Sequence, residues 1–330
     1  MAKTSRLWLS IVILGLNYIC QSTLAAPKTV VQNLSHPVQI ARDTLDNLYI
    51  VDQGCVDALA PNGDCNVYKE TPNGAGSYTQ TLLSNWTSSS VPVGVAVDTS
   101  GNVYISVYGS GVYEQKLLSP TPTSGYGSPT LVIHCLTLGQ ITGDNHANLV
   151  VVDTGQGVVF KEPTGQPFVD CGPTLYGNSG AIVASGLSKP RFVATDASGD
   201  VFVDTNSAQL LKETPSGSGY NQSVVTTLSG IASITGIGMS FAQTGGSRLG
   251  YVYVAAGNLS TVYAEIPSGP PSSVSYSQQT LCNAYLLFPQ GVAVDGGNNV
   301  FVVDTASNSV LEIPYQPAPP PPTGLGATVR

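Results

Sequence analysis

Histidine and charge are both scarce in this chain: three histidines, 12 basic and 20 acidic residues are spread over 330 positions. Each shortage excludes something. His36, His134 and His146 stand far apart, with no His-x-His or comparable pair, so a zinc centre built on clustered imidazoles is excluded. The net charge of −8 comes with no basic cluster, which excludes a nucleic-acid footprint or an anionic membrane surface as partner. No Gly-x-Ser-x-Gly elbow occurs, and no cysteine carries a paired-histidine signature, so the common hydrolase nucleophiles are missing. Beyond residue 26 no apolar run approaches the roughly 20 residues of a membrane span, so no insertion is expected after that point.

The one apolar run is Leu7 to Ile19. Lys3 and Arg6 precede it and Gln21-Ser-Thr-Leu-Ala-Ala26 follows, which is the layout of a secretory signal peptide cleaved after Ala25 or Ala26. Losing Lys3 and Arg6 takes the mature chain from −8 to −10. The expected organisation is a signal peptide over 1–26, one folded body over 27–315 and a Pro-rich tail over 316–330. The protein is expected outside the cytosol, whether secreted, periplasmic or at the cell surface, and as a monomer.

Within the body four stretches restate one phrase. They are Pro92-Val-Gly-Val-Ala-Val-Asp98, Pro289-Gln-Gly-Val-Ala-Val-Asp295, Pro190-Arg-Phe-Val-Ala-Thr-Asp196 and Pro37-Val-Gln-Ile-Ala-Arg-Asp43. Each is followed within a few residues by a Gly/Asn-rich turn and an aromatic strand such as Asn102-Val-Tyr104 or Asn299-Val-Phe301. Weaker copies at Leu138 to Val152 and Ile234 to Ala255 bring the number to six. A second phrase recurs in step: Val67-Tyr-Lys-Glu-Thr-Pro and Leu211-Lys-Glu-Thr-Pro. A period of about 40 to 50 residues built from short β-rich runs is the signature of propeller blades, none of which buries a face alone. The fold expected is all-β, a six-bladed propeller of four-stranded blades. The last repeat lacks an outer strand, and Thr29-Val-Val-Gln-Asn-Leu34 matches the outer strands of other repeats. The N-terminus is therefore expected to close the ring and remove two exposed edges.

Cys55 and Cys65 stand at the feet of an insertion and are placed to bond in an oxidising compartment. The pairing of Cys135, Cys171 and Cys282 stays open. Four aspartates, Asp52, Asp153, Asp204 and Asp304, end the second strands of their repeats. Loops after second strands open on the same face as the loops leading into inner strands, so these carboxylates are candidates for holding a polar ligand or a cation at one mouth. The competing reading is that each accepts hydrogen bonds from its own turn. Asp43, Asp98, Asp196 and Asp295 fall on the opposite face and read as structural.

The phrase Pro-x-Gly-Val-Ala-Val-Asp, with the Asn-Val-Tyr/Phe that follows it, resembles the NHL-repeat propeller family over about Thr29 to Pro314. Its Lys-Glu-Thr-Pro phrasing is most similar to the bacterial cell-surface members. The resemblance implies the propeller fold but no single activity, since such repeats occur in amidating lyases, sensor domains and RNA-binding domains. The lyases depend on histidines that this chain lacks. Lactonase-type propellers hold a calcium-like ion through carboxylates, so Ca2+ is the one cofactor the pattern leaves room for; otherwise none is expected. With no catalytic set in view, the expectation is a non-catalytic recognition module for a protein, peptide or glycan. The alternative is a metal-dependent lactonase- or lyase-like enzyme with its site at the channel mouth.

Overall fold

The computed structural model describes residues 26–314, apart from 57–63, 75, 120–124, 145, 166–168, 172–180, 241–249, 271–272 and 283–284. The signal peptide and the Pro-rich tail expected from the sequence lie outside the described residues, and no helix among those residues is long and apolar enough to cross a membrane.

Six sheets, each with at least four strands, follow one another around a ring. Five of them start at the inner strands Pro37–Arg42, Pro92–Val97, Leu138–Gly143, Val193–Thr195 and Gly236–Met239, which define blades I to V. Blade VI has the inner strand Pro289–Val294, then Val300–Asp304 and Ser309–Ile313. Its outer strand is Lys28–Val31 from the other end of the chain, paired antiparallel with Ser309–Ile313. The closure inferred from the missing strand is therefore present. The strand stops at Val31 because Asn33 takes a left-handed φ of 64°, after which the Leu34 amide still donates to the Asn308 carbonyl.

Packing follows the repeat. Six apolar clusters form, one at every blade-to-blade junction. Val38, Val51 and Val67 of blade I meet Val95, Val103 and Ile105 of blade II, and Ile40 and Leu48 meet Val30, Leu34 and Phe301 of blade VI. The second strands are buried on both faces, so they read as unbroken apolar runs rather than as alternation. Gly94 and Gly291 let inner strands nestle together: a Cβ at Gly94 would lie 2.9 Å from the Gln140 Cα, and one at Gly291 would lie 2.8 Å from the Gln39 Cα.

The turns between first and second strands share one device. Asp98 accepts the Ser100 and Asn102 amides, and Gly101 supplies the φ of +83° that closes the turn. Asp43, Asp196 and Asp295 repeat this, with Asp46, Gly199 and Asn298 at the left-handed position. The aspartates of this face are thus built into its turns.

Two disulfides are present. Cys55–Cys65 brackets the blade I insertion as expected, and Cys135 pairs with Cys171. The second bond belongs to a feature the repeats do not contain. Val169–Asp170 runs parallel to Thr130–His134 as a fifth strand on blade II, and the bond sits at its end. Cys282 is a buried thiol. Such bonds fit an oxidising compartment.

Candidate active site

The second-strand aspartates end on one face, but none of the four lines the cavity at its centre. Each carboxylate holds the loop leading into its own blade, or the turn that follows it. Asp52 accepts the Ser35 amide at 2.8 Å and the His36 amide at 2.5 Å. Asp304 accepts the Leu287 and Phe288 amides at 3.0 and 2.7 Å and the Ser307 hydroxyl at 2.9 Å. Asp153 accepts the Thr137 hydroxyl and the amides of Gly155 and Gln156. Asp204 takes the Arg191 and Phe192 amides on a single oxygen, at 2.6 and 2.8 Å. Its other oxygen is buried without a partner. Burial pushes the Asp204 carboxyl up to about 6, against which those two amides and the Arg191 charge pull downward. Burial also raises the Asp52 carboxyl. These side chains behave as loop anchors, so the geometry favours the turn-capping reading over the ligand-holding one.

What occupies the mouth is different. A cavity of about 260 Å³ opens where the inner strands begin, lined by Gln39, Gln53, Gln140, Gln290, Arg191, Tyr108 and Thr154 over an apolar base of Val38, Val93 and Leu138. Gln140 of blade III donates from Nε2 to Gln39 Oε1 of blade I at 2.9 Å, spanning the channel, and its own Oε1 accepts the Val193 amide at 3.0 Å. Gln39 is 1% exposed; with its oxygen engaged, its Nε2 is left buried and unpartnered. Arg191 stacks on the Phe192 ring at 5.0 Å and donates from a terminal nitrogen to the Ile234 carbonyl at 2.7 Å. Its Nε is likewise buried with no partner, and it forms no ion pair among the described residues. Gln39 and Arg191, each with a buried N–H donor that lacks an acceptor, therefore border one cavity, and each such donor carries a desolvation cost of about 1–3 kcal/mol.

A signal for these residues was present in the repeats. Where the phrase has glycine at its third position, as in Gly94 and Gly291, blades I and III carry Gln39 and Gln140. Where the second position is valine in Val38 and Val93, blade IV carries Arg191. Departures from the repeat consensus at the axis mark the site; the more regular aspartates do not.

The donor set also bears on cofactors. Among the described residues no three histidine, cysteine or carboxylate side chains come together as a metal cage, and Asp52, Asp204 and Asp304 each accept loop amides.

Neither a sequence profile of a known family nor a curated protein matches the chain. Solved structures do. The PQQ domain of pyranose dehydrogenase from Coprinopsis cinerea aligns with a TM-score of 0.64 at 14% identity, over 88% of this chain and 96% of that one. A gluconolactonase from Xanthomonas campestris aligns at 0.56 and 11% identity, over 87% and 88%. An auxiliary nutrient binding protein from Bacteroides thetaiotaomicron aligns at 0.61 and 10%, over 87% and 72%. At these identities the likeness is one of fold. Enzymes predominate among the similar structures, sugar dehydrogenases and the lactonase included, and this overturns the expectation of a non-catalytic recognition module. That expectation rested on the lack of a familiar nucleophile or histidine set.

Proposed function

We propose that the chain is an NHL-like propeller enzyme of lactonase type, acting outside the cytosol on a small polyhydroxylated cyclic ester at the channel mouth. The observation that carries this is the cavity of about 260 Å³ whose lining is amide-rich and holds two uncommitted donors. The cavity lies just under the roughly 300 Å³ at which drug-sized ligand pockets begin, so it has room for no more than a single sugar-sized molecule. The Gln290 amide and the unpartnered Nε2 of Gln39 would bind ring hydroxyls, and Tyr108, which is 56% exposed, would cover one face of the ring. Fixed donors facing a carbonyl oxygen stabilise the charge that develops when water adds to it. The Asp204, Asp304 and Asp52 anchors hold the surrounding loops in place, so the donors are positioned before substrate arrives. Neutral groups predominate in the lining, with Arg191 its only charged residue, so neutral or singly negative substrates are favoured.

The test is hydrolysis of a panel of aldonolactones followed by proton release at constant pH, with and without a chelator. Turnover above the spontaneous rate supports the reading, and retention in chelator supports a site built on protein donors. Rates equal to the buffer blank for every lactone would refute it.

A further inference from the structure

We infer that Arg191 and Gln39 form a carboxylate-binding subsite, which makes the acid released by ring opening, an aldonate, a specific ligand of the mouth. This rests on the lactonase reading for its biological ligand, though the subsite itself stands on the donors. Three observations converge. Gln39 is 1% exposed, and its oxygen is fixed by the Gln140 amide and by the Ile40 amide at 3.3 Å, so only Nε2 is available to a ligand. Arg191 has a buried, unpartnered Nε, while its place is set by the Ile234 carbonyl and the Phe192 ring. Both line the same cavity, with Gln140 joining them: its backbone amide donates to the Arg191 carbonyl at 2.7 Å and its side chain to Gln39. A carboxylate presents two oxygens with about four lone-pair sites, enough to satisfy both donors at once. It also brings a negative charge to Arg191, which forms no ion pair among the described residues, its nearby Asp204 being turned to backbone amides. A neutral hydroxyl or carbonyl offers only one oxygen and adds no charge beside the guanidinium.

The experiment is titration of the purified chain with sodium D-gluconate, and with uncharged D-glucitol at matched ionic strength, followed by calorimetry. Gluconate is expected to bind at least tenfold more tightly than glucitol. Gln39→Glu keeps the oxygen that Gln140 and Ile40 need and reverses only the free donor, so gluconate affinity should fall at least tenfold. Arg191→Gln should do the same. Because that change also removes the bond to Ile234, Arg191→Lys serves as the folding-competent partner and should weaken gluconate severalfold while leaving glucitol unchanged. Equal affinity for the two probes, no gluconate binding by the parent, or full gluconate affinity in Gln39→Glu would overturn the inference. Lactone turnover without selective gluconate binding would sink the subsite and leave the enzyme standing. Gluconate selectivity without turnover would do the reverse.

Discussion

Replacing the loop-anchoring aspartates by asparagine should separate them according to how their oxygens are used. In Asp304 the Leu287 amide bonds one oxygen and the Phe288 amide the other. Asparagine keeps one acceptor and turns its NH2 against the second amide, at a cost of about 2 kcal/mol; alanine strands both and costs about 4 kcal/mol. Asp52 divides its oxygens the same way and should behave alike. In Asp204 both amides share Oδ1 and Oδ2 has no partner, so Asp204→Asn keeps both bonds. It also removes a buried charge. The Asp204 carboxyl titrates at about 6 when folded and at 3.8 ordinarily, so the folded protein holds that proton more tightly than the unfolded chain. The parent therefore loses stability as pH rises from about 4 through 6, by roughly 3 kcal/mol at the full shift. Asp204→Asn lacks that slope: it should be near neutral at pH 4.5 and stabilising by about 1 to 3 kcal/mol at pH 7.5. The assay is urea unfolding at both pH values, read as a midpoint change at constant m. Equal destabilisation by Asp304→Asn and Asp204→Asn at pH 7.5 would refute the oxygen-by-oxygen reasoning.

Three further outcomes are expected. Ala147 is exposed and sits at a left-handed φ of 58° in the turn where its counterparts are Gly101 and Gly199, so Ala147→Gly should stabilise by about 1 kcal/mol in thermal unfolding; a loss would mean the turn is not strained there. Leu34→Ala, at the strand that closes the ring, should cost about 3 kcal/mol, because Leu34 is 5% exposed within the cluster joining blades I and VI; a loss under 1 kcal/mol would count against closure as a source of stability. Reducing Cys135–Cys171, whose residues lie 36 apart, should cost up to about 4 kcal/mol on the chain-entropy account and expose the Val169–Asp170 strand to amide exchange; unchanged exchange there would show that the strand holds without the bond.

The architecture was legible because it repeats. Inner-strand valines, turn aspartates and Gly/Asn at left-handed positions recur in step, and each recurrence is a local physical demand that composition alone satisfies. The closing strand, Lys28–Val31 where the sequence pointed to Thr29 to Leu34, was legible by complement, since blade VI lacked a partner for Ser309–Ile313. The added Val169–Asp170 strand was not, because it pairs parallel across a long connection and has no counterpart in the other blades. The site was half legible. Sequence placed Asp52, Asp153, Asp204 and Asp304 on one face but could not show that their oxygens turn back onto loop amides. Gln39, Gln140 and Arg191 looked like blemishes in a consensus, and only the ring shows that such blemishes meet at the axis.

The most direct measurement of the central claim is kcat/KM for aldonolactone hydrolysis in Gln39→Met, beside Thr99→Ala at the opposite end of the channel, where a cavity of about 200 Å³ that Gln39 does not line is found. Gln39 carries the unpartnered Nε2 and accepts the Gln140 side-chain amide, so its loss should lower kcat/KM at least tenfold, about 1.4 kcal/mol, while Thr99→Ala leaves it unchanged. Equal activity in the parent and Gln39→Met, or loss on the Thr99 side alone, would contradict catalysis at this mouth.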